Sequence, residues 1–196
     1  MDDATVIGFT QTLDSRLRWV DYHEGSGYGI DHYAALIHGK DYRYGTHYGP
    51  HDLKVKEWGS GNTRLERAER HGLNFEVVPK LHIADGIDAA RRLLKISEFD
   101  EDATAAPDHD RRKHGLIDAL MTYRREWDER LATWRSTPVH DWASHAADMV
   151  RYRAVAYYDL SLDRKEESYD NRWSVYEADR PKEPDEYADW DVYSPT

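Results

Sequence analysis

The chain is predicted to adopt an α/β fold, on three observations. Runs rich in β-branched and aromatic residues alternate with segments of helical period through most of the sequence, and the helical segments carry recognisable starts and stops. A length of 196 residues suits one domain with a little chain to spare. Hydrophobic content of 39% against 33% charged implies a modest core and some chain that is not packed into it.

Taken in order, "ATVIGFTQT" and "RLRWVDYHE" are two β-rich runs separated by "LDS", which predicts an antiparallel hairpin. After "GSGYG", the segment "IDHYAALIHG" has apolar residues at helical spacing and stops at Gly39. "YRYGTHYGPHD" predicts a short strand running into a loop at Gly49-Pro50, with Asp52 just past the strand end, where α/β proteins commonly hold ligands. "NTRLERAERHG" reads as a helix with an Asn or Thr cap and a Gly stop, "NFEVVPK" as a buried strand, and "IADGIDAARRLLKIS" as an amphipathic helix. "DEDATAAPDHD" is polar and capping in character, and "RRKHGLIDALMTY" is expected to be helical. "RREWDERLATWRS" reads as a strand pair or an irregular extension. The stretch "HDWASHAADMVRYRAVAYY" predicts a helix that begins near Asp141 and buries Ala146, Met149, Val150 and Val155. Beyond about Leu160 no period is sustained, so the expected organisation is a folded domain over 1–157 and a disordered acidic tail over 158–196.

Charge follows the same division. Residues 159–196 hold twelve acids against five bases, so they carry −7 of the total −11, and the remainder is only mildly acidic. With no cysteine, disulfides, thiolate zinc sites and cysteine nucleophiles are excluded. No apolar run approaches the length that spans a bilayer, and "MDDATVIGF" has neither the basic start nor the apolar core of a signal peptide. The expectation is a soluble cytoplasmic protein with no membrane partner.

Chemistry concentrates in "HDWASHAADMVRY". Asp141, His145 and Asp148 fall at intervals of four and three, which stacks their side chains on one helix face. Such a stripe suits a divalent ion, with Asp52 as a carboxylate from elsewhere, because Mg²⁺ and Mn²⁺ take oxygen ligands from one or two carboxylates, waters and phosphates. The competing reading pairs Asp148 with Arg151, one turn on, with Arg153 close by, and makes His145 a satisfied core histidine. His47, His51 and Asp52 form an H-x3-H pair beside an acid, which also admits zinc, although the pair falls on a strand-to-loop rather than a helix. Lys54 and Lys56, Arg64 with Arg67 and Arg70, and Arg111-Arg112-Lys113 are basic groups suited to phosphate or, equally, to a solvated face. "GSGYG" is too short and wrongly placed to cradle phosphate, and no GxxxxGK[ST] motif occurs.

Three stretches together resemble one family. "YGTHYGPHD", "RLERAERHGLNFEVVPKLHIADGIDAARRLL" and "YRREWDERLATWRSTPVHDWASHAADMVRY" are similar to the C-terminal nuclease domain of the large terminase subunit of tailed bacteriophages, and the likeness covers most of residues 2–157. The resemblance implies an RNase H-like mixed sheet flanked by helices, related to the RuvC-type resolvases, that cuts concatemeric viral DNA during packaging with Mg²⁺ or Mn²⁺. Asp52 then matches the second acidic position, after a central strand. Asp148 matches the acid on the C-terminal helix, His145-x-x-Asp148 resembles the resolvase H-x-x-D pair, and Asp141 is a further metal candidate. Lys54, Lys56 and Arg64 are the DNA-contact candidates. Implied partners are double-stranded DNA, the terminase motor domain, the small terminase subunit and the portal, in the host cytoplasm of a phage or prophage.

The family's opening strand carries the first catalytic Asp in a D-x-G-like turn, and "MDDATVIGF" is read as starting after it. The expectation is therefore a sheet lacking its first strand, and an endonuclease active once that first carboxylate is supplied. A non-catalytic packaging-assembly or DNA-binding module is the alternative, and an unrelated α/β binding protein is a third reading.

Overall fold

Two consecutive residues with positive φ, Asp14 at 49° and Ser15 at 64°, make the turn between β1 (Ala4–Leu13) and β2 (Arg16–Ser26). A tight turn of that hand matches the twist of the strands it joins, so the expected hairpin forms with antiparallel pairing from Ala4 opposite Ser26 to Leu13 opposite Arg16. The computed structural model describes residues 4–56, 61–105 and 114–162, with side chains as far as residue 158.

After the hairpin come α1 (Ile30–His38), β3 (His47–Gly49), a single 3-10 turn (His51–Lys54), α2 (Arg64–Arg70), β4 (Phe75–Val77), α3 (Ile83–Leu94) and β5 (Ser97–Phe99). These are followed by α4 (Leu116–Thr122), β6 (Arg125–Asp128), β7 (Thr133–Pro138) and α5 (Trp142–Leu162). The chain is thus mixed α/β, as its alternating pattern predicts. Thr63 begins α2 with a full capping box, its hydroxyl accepting the Glu66 N–H while the Glu66 carboxylate accepts the Thr63 N–H.

Three sheets result among the described residues. The largest has the order β1-β2-β5, with β5 parallel to β2, whereas β3 pairs parallel with β4 and β6 pairs antiparallel with β7. β5 was not anticipated. Its three residues follow α3 directly and are held by partners about eighty positions away: Glu98 pairs with Arg16 and Arg18 at 2.6 and 2.8 Å, and the buried Trp19 indole donates to Ser97 Oγ at 3.3 Å. The expected buried strand "NFEVVPK" is shorter and only half-buried, with Val78 just beyond it fully covered.

The hairpin is covered on both faces. Leu17 and Trp19 pack with Leu93 of α3, Leu116 of α4 and Ala143, Ala146 and Val150 of α5, while Phe9 packs on the opposite side with Ala34, Ile37, Ala68 and Leu73. Pairing slips between Phe9 and Thr10, so that Phe9 opposes Asp21 but Thr10 opposes Trp19. This bulge leaves Val20 without an opposite number and changes the parity of β2, which lets Tyr22 join Leu17 and Trp19 on the same face. Of the residues expected inside α5, Ala146, Val150 and Val155 are buried, and Met149 is half-buried against that same cluster. Met149 also approaches β1 closely at Gly8, where a Cβ would lie 2.6 Å from its sulfur.

One compact unit spans Met1–Leu160. The expected acidic tail lies outside the described residues beyond position 162, as do Arg111, Arg112 and Lys113. No helix among the described residues is long and apolar enough to cross a membrane.

Candidate functional site

A helix start needs acceptors for its free N–H groups, and the first carboxylate of the predicted stripe is occupied with that task. Asp141 Oδ1 accepts the Ala143 N–H at 3.1 Å, and Oδ2 pairs with Arg124 Nη1 at 3.0 Å. His145, one turn on and half-buried, stands edge-on to His140 with ring centroids 5.4 Å apart. Asp148 lies two turns beyond Asp141, about 10 Å along the axis. Its Oδ1 accepts both Nε and Nη2 of Arg151, at 3.1 and 2.9 Å, so the ion pair that the spacing permits is formed. Its Oδ2 accepts no hydrogen bond among the described residues, and the side chain is 40% exposed.

Asp52 sits on the 3-10 turn immediately beyond β3, the place the sequence predicts. Its Oδ2 lies 3.6 Å from Arg64 Nη1, while Oδ1 is shielded from solvent and accepts no hydrogen bond among the described residues. A shielded carboxylate oxygen without a donor is costly, and a cation is one way to satisfy it. Lys54 ends the same turn and Lys56, two residues on, bridges Thr63; both are exposed, and Arg64 opens α2 next to Thr63.

Both acids act on Tyr152. Burial raises its phenol above the ordinary value, Arg151 opposes that, and the charges of Asp148 and Asp52 both reinforce it, which places both carboxylates within electrostatic reach of one hydroxyl. Asp148 also acts on Tyr123, whose phenol is pushed up to about 12, chiefly by burial. The charges of Asp52 and Asp148 thus both act on Tyr152, whereas Asp141 and His145 stand near the start of α5 with Arg124 and His140.

No family model, curated protein or solved structure matches this chain.

Among the described residues no group of three or more His, Asp or Glu side chains is placed to hold a metal ion. His47 packs its ring between Tyr44 and Phe75, at 5.2 and 5.7 Å, and burial, then His38, lowers its pKa. His51 instead turns toward Tyr152, 6.4 Å between centroids. Asp52 and Asp148 each keep one carboxylate oxygen without a hydrogen-bond donor among the described residues, and oxygen ligands of this kind are what Mg²⁺ and Mn²⁺ take.

Two neighbours escaped the sequence reading as site residues. Tyr152 is one. Arg153 is the other: its Nε donates to Thr10 Oγ1 of β1 at 3.1 Å, and its guanidinium lies over Tyr48 of β3 and Tyr157, so it links two sheets through α5. Burial lowers its pKa, and its Nη1 is shielded without an acceptor among the described residues. The alternation of arginine and tyrosine in "RYRAVAYY" is the only signal that marks it.

Proposed function

We propose that the described unit is a divalent-metal-dependent DNA endonuclease domain of the large-terminase type, with an RNase H-like fold, that cuts viral DNA during packaging. The observation that carries this reading is that Asp52, just past β3, and Asp148 on α5 each keep a carboxylate oxygen without a donor among the described residues, while the charges of both act on the Tyr152 phenol. The three-stretch likeness to terminase nucleases supports it, because it assigns acidic positions to these same two residues.

On this reading Asp52 and Asp148 hold Mg²⁺ or Mn²⁺, and the metal supplies activation of water and stabilisation of the leaving oxygen. Asp52 contributes the oxygen that lacks a donor, and Asp148 contributes Oδ2 while Arg151 fixes Oδ1. Arg151 thereby sets the carboxylate's orientation. Lys54, Lys56 and Arg64 contact the DNA backbone, and the motor domain, small terminase subunit and portal are the partners in packaging.

Plasmid cleavage in Mn²⁺ tests the reading, with Asp52→Ala and Asp148→Ala proteins alongside and Mn²⁺ binding followed by electron paramagnetic resonance. Mn²⁺ binding by the parent chain, weakened in each variant with unchanged circular dichroism, is the expected result, and whatever cleavage the parent chain shows falls at least about a hundredfold in each variant. Cleavage that survives in both variants overturns the site. DNA binding by the parent chain with neither cleavage nor Mn²⁺ binding overturns the enzyme and leaves a packaging or DNA-binding module.

A further inference from the structure

Beside the two acids lies a half-open cavity of about 340 Å³, and its polar lining is made of hydrogen-bond donors. His51, Lys80, His82, Arg151 and Tyr152 line it, with no carboxylate among them. Lys80 forms no ion pair among the described residues, so its ammonium is available. Arg151 spends Nε and Nη2 on Asp148 and also interacts with the Tyr152 hydroxyl, and its guanidinium side chain lines the cavity.

Two details show how the donors are set. His82 precedes α3 and accepts the Ala84 N–H on Nδ1 at 3.4 Å, so in its neutral form the ring carries its proton on Nε2. Gly86 lies inside α3, where glycine costs about 1 kcal/mol relative to alanine. The stem of Arg151 explains it: a Cβ on Gly86 would stand 2.7 Å from both Cγ and Cδ of that arginine. The helix gives up a side chain so that the guanidinium can lie across it and reach the cavity.

We propose that this cavity is a phosphate-binding subsite, with the Lys80 ammonium, the Arg151 guanidinium and the His82 Nε2–H as its donors. A tetrahedral anion accepts several hydrogen bonds at once, and the Lys80 ammonium and Arg151 guanidinium beside a histidine N–H suit it. That the phosphate belongs to a DNA backbone, next to the one being cut, rests on the nuclease reading. The binding itself does not, and needs no metal.

The test uses the full chain, ¹⁵N-labelled and in EDTA, titrated with inorganic phosphate. Saturable amide shifts confined to residues 80–84 and 151–152 are expected. Lys80→Gln weakens this binding about tenfold, the scale of one charge-assisted hydrogen bond. Gly86→Ala weakens it similarly by displacing Arg151 without harming the helix, and Lys95→Gln, which removes the same charge at the end of α3, leaves it unchanged. Shifts scattered over surface lysines, or equal losses in Lys80→Gln and Lys95→Gln, overturn the subsite.

A short labelled duplex, also in EDTA, identifies the source of the phosphate. If the salt slope of duplex binding falls by about one in Lys80→Gln, the subsite holds a backbone phosphate. An unchanged slope with intact phosphate binding keeps the subsite and assigns it to a free phosphate or mononucleotide. Plasmid cleavage can fail while these results hold, so the two readings fall separately.

Discussion

Asp141 and Asp148 share a helix and a functional group but not an employment. Asp141 has both oxygens engaged, one by the Ala143 N–H and one by Arg124, whereas Asp148 keeps Oδ2 open. Removing the Asp141 side chain strips the first turn of α5 of its acceptor, at an expected cost of about 1 kcal/mol. Asp141→Asn keeps that acceptor and most of the stability, so urea midpoints should fall for Asp141→Ala and move little for Asp141→Asn. Equal losses would shift the credit from the helix start to the Arg124 ion pair. The sequence made the 141, 145 and 148 spacing legible, and even the Asp148–Arg151 pair, because both depend only on helical geometry. It was silent on which acid is spent and which is open. That depends on Arg124, seventeen positions earlier, and on the shielding of Asp52 Oδ1, which only the assembled fold creates.

The β6–β7 hairpin shows how one side chain can hold an element that has little core. Most of its residues are exposed, and Trp127 and Trp134 meet edge-on at 5.0 Å at its surface. Asp128 clamps it: Oδ1 accepts the Leu131 N–H at 3.1 Å, and Oδ2 accepts Nε and Nη2 of Arg135 at 3.2 and 3.0 Å. The Leu131 N–H first, and the Arg135 guanidinium with it, hold this carboxyl below its ordinary 3.8. A depressed value means that folding favours the ionised form. The clamp is therefore complete above the unfolded value, and it is lost as pH falls below 3.8 and through the lower folded one. Fluorescence of the tryptophan pair should report an acid opening in that window, absent in Asp128→Asn. The sequence left this stretch as either a strand pair or an irregular extension, because one buried acid inside "REWDERLATW" is invisible until its two donors are in place.

At the scale of the molecule, the hairpin, the five helices and the strand before Asp52 could be read from period and punctuation. The division into three sheets could not, since "SEF" has no pattern of its own and is recruited to β2 by Trp19 and by Arg16 and Arg18. Nor could the two-sided burial of β1, in which Val6 joins one core cluster while Ile7 and Phe9 join the other. Interior strands of a sheet are normally the ones covered on both faces. β1 nevertheless pairs only with β2 among the described residues, and its ten residues hold no charge and no proline. The usual devices that keep a sheet edge from meeting its like are thus scarce here, the slip at Phe9 being the only one. In the laboratory this makes sample concentration a hidden variable. Light scattering of the parent chain should rise with concentration, and Thr5→Lys, at an exposed position of that strand, should flatten the rise without lowering the melting temperature. A preparation that behaves when dilute and gels on the way to a crystallisation tray would be obeying a ladder ten residues long that no other described strand covers.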